Sequence, residues 1–553
     1  MEKIMKDNEA LGVQYTSLLS RIEKLNAIGI ALSTGKDIPS LLEMILIGAK
    51  ELTQADGGTL YTVHDEAQLT FEIIKTTSLA IHMGGTTGVA VNFKPIPLHL
   101  TDGSPNDHQL AAYTALYGKT VNIPDVYQEN NFDFSGPKAF DKATGYHSHS
   151  FLTIPMKNHE NDIIGVVQLI NKIDSNSNEV VAFNKEDQQL AESLASQAAI
   201  ALTTHELIDD LRELFNAFTK SIAFAIDEKS PYTGGHCNRV PILAMMMANR
   251  ANSIQTGPLK EFTMSDDDLY AMEVAAWLHD CGKVTTPEYV VDKATKLETI
   301  FDRIALIECR FELLKRDAKI HQLEQLATCN ESARSGIIET FEKELQQLES
   351  DWLFIRKCNT GGEFMSDEDK QRVDQIGARK LTNSDGKSVP FLTEEELKNL
   401  KIAKGTLLPE EFEVIKNHVV MSQKMLSALP FPKNMARVPE YAGNHHERMD
   451  GKGYPNGLMR EEMSLPSRIL AIADIFEALT ACDRPYKGAK KLSESLKILG
   501  FMKKEGHIDP DLFDLFIHEK IYLDYAREYL TPELIDIEEP CEIFGYPFHT
   551  DPN

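Results

Sequence analysis

The stretch AAWLHDCGKV, residues 275–284, decides how the second half of the chain is read. An apolar helical run ends in an adjacent imidazole and carboxylate, His279 and Asp280, and Lys283 follows one glycine later. A lone His-Asp pair is common by chance, so its weight comes from its company. His236 lies in YTGGHCNRV (232–240), His418 in EEFEVIKNHV (410–419), His445 and His446 in NHHERMDGKGYPNGL (444–458), and Asp474 in ILAIADIFEALT (469–480). Most of these residues sit in or beside apolar helical patterns, where an unpaired imidazole or carboxylate is costly to bury. Imidazoles and carboxylates converging from separate helices suit divalent iron, manganese or a similar metal. Two ions need a bridging carboxylate, and Asp280 is the candidate.

Outward from this centre the chain reads as several units. At 553 residues and 42% hydrophobic content it exceeds one ordinary core, so two or three globular units are expected. The formal net charge of −27, spread along the chain, argues against a general surface for polymeric nucleic acid or anionic lipid. An anionic small substrate then needs a local cationic device. No run approaches eighteen apolar residues and the start MEKIMKDNEA has no apolar stretch, so the expectation is a cytoplasmic protein without membrane contact. Seven scattered cysteines, never spaced as CxxC, read as reduced thiols without a role.

After an N-terminal segment (1–19), residues 20–205 mix patterns. SLLEMILIGAKELTQ is helical, GGTLYTV, FLTIPM and IIGVVQLINK are strand-like, and a helix begins near Glu186, which together predict an α+β domain. Leu190, Leu194, Ala201, Ile208, Leu211, Phe215, Phe218 and Ile222 follow helical steps, so one connecting helix is expected over 186–222. Its stripe reads either as packing on its own domain or as the seam of a parallel homodimer. Between 297 and 405, Ile300, Ile304, Ile307, Phe311 and Leu314 form one stripe, and Ile337, Phe341, Leu345, Leu348, Trp352 and Ile355 a second. Two helices folded back on each other satisfy both, with NSDGKS (383–388) as loop.

Two resemblances follow from these residues. In the first half, ADGGTLYTV, IGVVQLINK and FNKEDQ resemble the signature of cyclic-nucleotide-binding GAF domains, carried here by Asn171, Lys172, Phe183 and Asp187, with Gln188 where a glutamate is usual. The resemblance implies a sensory domain with a small-molecule ligand. In the second half, His236, His279-Asp280 and Asp474 resemble the pattern of HD-domain phosphohydrolases, and HHERMDGKGYP the HD-GYP subgroup, over 215–540 with the insertion 297–405 excepted and a tail at 541–553. This implies an all-α HD-GYP domain and two divalent ions: one on His236, His279, Asp280 and Asp474, the other on Asp280, His418 and the tandem histidines. It also implies a cyclic dinucleotide phosphodiesterase acting on cyclic di-GMP and yielding pGpG, with the mixed cyclic GMP-AMP as alternative substrate, or a non-catalytic sensor as the alternative role. Lys283 is expected to hold a phosphate oxygen or protonate the leaving group, and Arg484 and Lys487 in DRPYK to contact guanine and phosphate. Tyr454 and Pro455 are expected to stiffen the pocket lip, while Glu447 and Asp450 orient imidazoles or stabilise the turn. Tyr232 stands where relatives with a third ion carry a glutamate, which favours two ions.

Overall fold

The computed structural model describes residues 2–33, 37–64, 68–175, 177–229, 235–362, 364–383, 385–481, 490–539 and 543–546. The chain divides into two compact units, Met1–Leu214 and Phe215–Asn553. The first is α+β and the second is helical.

In the first unit, residues 1–19 belong mostly to a helix, Glu2–Ser33, and a second helix, Ile38–Thr53, starts where Asp37 accepts a hydrogen bond from the Ser40 amide at 2.8 Å. Eight strands follow: β1 (Ala55–His64), β2 (Gln68–Thr76), β3 (Ile81–Gly84), β4 (Ile96–Pro97), β5 (Val121–Ile123), β6 (Phe151–Lys157), β7 (Ile163–Ile173) and β8 (Val180–Val181). They form an antiparallel sheet of main order β3-β2-β1-β7-β6-β5, with Gly58 opposite Leu169 and Leu60 opposite Val167. Period-two alternation sorts the faces. Leu60, Val167 and Leu169 pack on Leu41, Ile45, Leu46, Leu190, Leu194 and Ala198 of the helices. A β-carbon on Gly58 would lie 2.8 Å from Leu46, so glycine here lets the helix Ile38–Thr53 seat on the sheet. On the other face Tyr61, Phe71, Phe134, Tyr146, Phe151 and Gln168 line a cavity of about 310 Å³.

Asn171, Lys172, Phe183 and Asp187 do not line that cavity. The Lys172 ammonium pairs with Asp187, which also binds Arg21 at 2.6 Å and the Asn184 amide at 2.9 Å. Asn171, in the left-handed region (φ 56°), accepts from the amides of His149 and Ser150 and donates to the His147 carbonyl. Phe183 is core. Lys172, Phe183 and Asp187 tie the end of β7 to the helix layer, and Asn171 ties it to the segment 147–150.

The helix that spans the boundary runs Lys185–Lys229, 45 residues. Its stripe is not uniform. Leu190 and Leu194 are buried in the first unit, whereas Ile208, Leu211, Phe218 and Ile222 are exposed.

The second unit's core joins the helices His236–Ser253, Asp266–Leu278, Leu465–Thr480, Leu492–Lys504, Pro510–His518 and Ile521–Tyr529 through Val240, Leu243, Met247, Ala275, Ile472, Phe476, Phe513, Phe516 and Tyr525. A capping box at Ser265 starts the helix that ends at the His-Asp dyad. The insertion has its own core around Ile307, Phe311, Leu348, Ile355, Val373, Phe391 and Leu400. Its two long helices, Ile304–Thr328 and Arg334–Asn359, are antiparallel: Phe311 meets Trp352, Lys315 pairs with Glu349, and Lys319 lies over Phe341. Ile300 leaves the expected stripe and is 96% exposed, because the helix begins only at Ile304. Beyond the hairpin the NSDGKS run joins two short strands, as a loop does. The segment around it holds helices Asp367–Gly377 and Glu394–Leu400 and a two-stranded ribbon, Lys380–Thr382 with Ser388–Pro390.

Candidate metal centre

Five chain segments deliver the site. His236 opens one helix just after Gly235, whose φ of 83° favours glycine. His279 and Asp280 end another, His418 lies within Pro409–Ser427, His445 and His446 follow the short helix Val438–Gly443, and Asp474 lies within Leu465–Thr480. The structure brings these seven side chains together. Asp280 is central: its Oδ1 is 3.2 Å from His418 Nε2 and 3.9 Å from His445 Nε2, and its Oδ2 is 3.4 Å from His279 Nε2 and 3.6 Å from His236 Nε2. Asp474 Oδ1 is 3.2 Å from His236 Nε2 and 3.8 Å from His279 Nε2.

Backbone carbonyls aim the rings. His279, His418 and His445 direct Nδ1 at the carbonyl three residues earlier, Ala276, Ile415 and Ala442, at 2.7, 2.5 and 2.6 Å. With that nitrogen as the donor, Nε2 is left as a lone-pair donor toward the centre. His279, His418 and His445 Nε2 and Asp280 Oδ1 are buried and have no hydrogen-bond partner. Buried polar atoms left unpaired are costly, so four gathered around the Asp280 carboxylate fit cation binding. Three overlapping donor sets have ligand atoms within 4.8 Å of one another: His236, His279 and Asp474; His279, Asp280 and His445; His418, His445 and His446.

At His445, His446 and Asp280 the electrostatics agree with that donor set, whereas at His236 burial opposes charge but Asp280, Asp474 and Glu477 outweigh it and hold the imidazole well above its usual value. Burial holds His445 well below the usual imidazole value, with His446 and His279 adding to the effect, and burial lowers His446 to about 4. Both are neutral near pH 7, as ligation requires. Burial opposes charge on Asp280, but Lys283 and His279 outweigh it and hold the carboxyl well below its ordinary range. Burial likewise opposes charge on Lys283, and Asp280 and Asp474 outweigh it, so the ammonium persists.

Glu477, which the sequence reading did not single out, pairs with His236 Nδ1 through Oε2 and with Arg239 Nε at 2.7 Å through Oε1. It stands three residues after Asp474, one helical turn along the same face; that i, i+3 pairing was the available signal. Glu447 and Asp450 serve the turn. Glu447 accepts from the amides of Asn456, Gly457 and Leu458 at 2.7, 3.2 and 3.0 Å, and Asp450 pairs with Arg448 at 2.8 Å. A β-carbon on Gly453 would come within 2.4 Å of the Glu447 Cα, so this turn folds tightly onto the histidine segment. Tyr454, followed by Pro455, stacks on His446 with ring centres 4.9 Å apart, and the Lys416 ammonium lies 5.7 Å from the centre of the tyrosine ring. Arg484, Lys487 and Tyr232 lie outside the described residues.

Residues 37–202 match the GAF domain and residues 392–512 the HD domain. One relative, a 3'3'-cGAMP-specific phosphodiesterase 1 of Vibrio cholerae serotype O1, is 42% identical over 113 residues, 20% of this chain and 25% of its own. A cyclic di-GMP phosphodiesterase of Thermotoga maritima is 29% identical over 224 residues, 35% of this chain and 60% of its own. A probable cyclic di-GMP phosphodiesterase of Vibrio cholerae serotype O1 is 33% identical over 143 residues, 24% of this chain and 32% of its own. The chain thus spans between a quarter and three-fifths of the length of these relatives. It carries a GAF domain followed by an HD domain.

Proposed function

We propose that the chain is a metal-dependent phosphodiesterase that hydrolyses cyclic di-GMP to linear pGpG under control of its GAF domain. The convergence of unpaired Nε2 atoms on the Asp280 carboxylate, His418 and His445 toward Oδ1 and His279 toward Oδ2, carries this reading. His236, His279, Asp280 and Asp474 would hold one divalent ion, and Asp280, His418, His445 and His446 a second, with iron or manganese suited to this nitrogen and oxygen set. Such ions supply, when bound, a nucleophile at neutral pH and charge that offsets the negative charge developing on phosphate.

The chain's own groups do the rest. Asp280 is buried and ionised, so it presents both oxygens to the centre. Lys283, paired with Asp280, is placed to donate to a phosphate oxygen or to the departing ribose oxygen. Tyr454 and Pro455 set an aromatic wall at the edge, with Lys416 adding a cation there. Arg484 and Lys487 complete the substrate contacts in this reading. The name of the 42% identical relative favours 3',3'-cyclic GMP-AMP as a second substrate to test.

Three further elements belong to the proposal. The first-unit cavity is the candidate seat for a regulatory small molecule. The exposed Ile208, Leu211, Phe218 and Ile222 support a homodimer paired along the long helix. Among the described residues no helix is long and apolar enough to cross a membrane, and the proposed setting is the cytoplasm. Turnover of both cyclic dinucleotides by the manganese- or iron-loaded protein tests the proposal. Metal-dependent formation of pGpG is expected; binding of either dinucleotide without hydrolysis would overturn it.

A further inference from the structure

The last turn of the 45-residue helix grips the metal site from two sides. The Lys229 ammonium donates to the carbonyls of Lys283, Val284 and Thr286, at 3.2, 2.6 and 2.7 Å. An ammonium has three protons, and these three acceptors use all of them. The carbonyls close the turn Cys281–Thr285, which follows Asp280 directly and contains Lys283. Two residues earlier, Asp227 is buried and accepts from the amides of Gly235 at 3.1 Å and Cys237 at 3.3 Å. Those amides flank His236 at the start of its helix, where amides lack intrahelical partners. One carboxylate therefore fixes the segment bearing His236, and one ammonium fixes the turn bearing Asp280 and Lys283.

The far side of that turn is fixed separately. The Gly282 amide donates to Ser422 Oγ at 2.8 Å, and a β-carbon on Gly282 would lie 1.9 Å from the His418 carbonyl. The turn is thus held between the helix carrying His418 and the end of a helix that begins in the first unit at Lys185.

We propose that Asp227 and Lys229 are positioning residues through which displacement of the long helix changes the metal site. This assignment rests on the phosphodiesterase reading for its kinetic consequence. The helix is continuous from Lys185 to Lys229, and in this proposal a shift of its last turn pulls on His236 and on the Asp280–Lys283 turn together. Ligand occupancy in the GAF domain has a route to the rate that requires no contact with substrate.

The test uses the full chain. Lys229→Met keeps the length of the side chain and removes its donors, whereas Lys229→Arg keeps donors and charge. Lys229→Met is expected to lower kcat for cyclic di-GMP roughly tenfold with KM within about twofold, and Lys229→Arg to recover kcat to within about threefold. The electron paramagnetic resonance spectrum of bound Mn²⁺ is expected to change in Lys229→Met and return in Lys229→Arg. One alanine inserted after Asp209 turns the downstream helix by about 100° and is expected to alter kcat at least threefold in the wild type but not in Lys229→Met. A wild-type rate and spectrum for Lys229→Met, or an insertion effect of equal size in both backgrounds, would overturn the proposal. If the wild type turned over no cyclic dinucleotide, the phosphodiesterase reading would fail, and the Mn²⁺ spectra would still decide whether Lys229 shapes the site.

Discussion

At the scale of single residues, Lys283 and Asp450 separate chemistry from scaffolding. Lys283 is an ammonium beside the bridging candidate and is not a metal ligand at neutral pH, so Lys283→Ala should cut turnover roughly 100-fold while metal content, measured by mass spectrometry, stays at the wild-type level. Asp450 answers to pH instead. Hydrogen bonds from Arg448 lower its carboxyl to about 2. A carboxyl lowered on folding contributes stability above its unfolded value near 3.9 and loses it as pH falls toward the folded value. Asp450→Asn should therefore cost up to about 1 kcal/mol at pH 6, after allowance for solvent screening, and the gap in urea midpoint should shrink below about pH 4. The candidate ligand residues that the fold brings together were legible because each sits in a short, distinctive string, such as WLHDCGK or NHHERMDGKGYP. Glu477 was not, since an acid in an amphipathic helix ordinarily reads as a solvated face, and only the fold shows it buried on His236.

At the scale of elements, close approach and buried charge decide what a segment tolerates. Gly282 touches the backbone of Pro409–Ser427, so Gly282→Ala must push that helix and its His418 away; a loss of about 1–3 kcal/mol and reduced metal content are expected in thermal melts and metal analysis. In the first unit, Asp187 is fully buried between Lys172 and Arg21. Asp187→Asn leaves those cations uncompensated and should destabilise that unit by about 3–5 kcal/mol, whether or not a small molecule is present. A defect confined to ligand binding, with unchanged stability, would contradict the scaffold role. Periodicity recovered the long helices, but it cannot say where a helix starts or which stretch of a stripe finds a partner. Ile300 precedes its helix, and the seam of Lys185–Lys229 is buried at Leu190 and exposed at Leu211. The ribbon at 380–390 was missed because its strands are three residues long and largely polar.

At the scale of the whole molecule, the insertion expected at 297–405 encloses a core of its own. Its core lies within residues 297–400 and its ends are neighbours: the Lys296 ammonium donates to the carbonyls of Leu400 and Ile402, and Lys293 reaches Asn399 at 2.8 Å. Replacing 297–400 with a short Gly-Ser linker should leave metal content unchanged and the melting temperature within a few degrees; loss of bound metal would show that the insertion helps build the site. The GAF and HD domains were legible from motif strings, whereas the clamp at Asp227 and Lys229 depends on contacts made in the fold and has no sequence signature. The central claim is that Asp280 joins the donor sets of a hydrolytic metal centre, and hydrolysis of cyclic di-GMP by wild type and Asp280→Asn, loaded with manganese side by side, tests it most directly. The wild type should release pGpG and lose that activity on chelation, while Asp280→Asn should be at least 1,000-fold slower and hold less metal. Near wild-type turnover by Asp280→Asn at full metal occupancy would contradict the account.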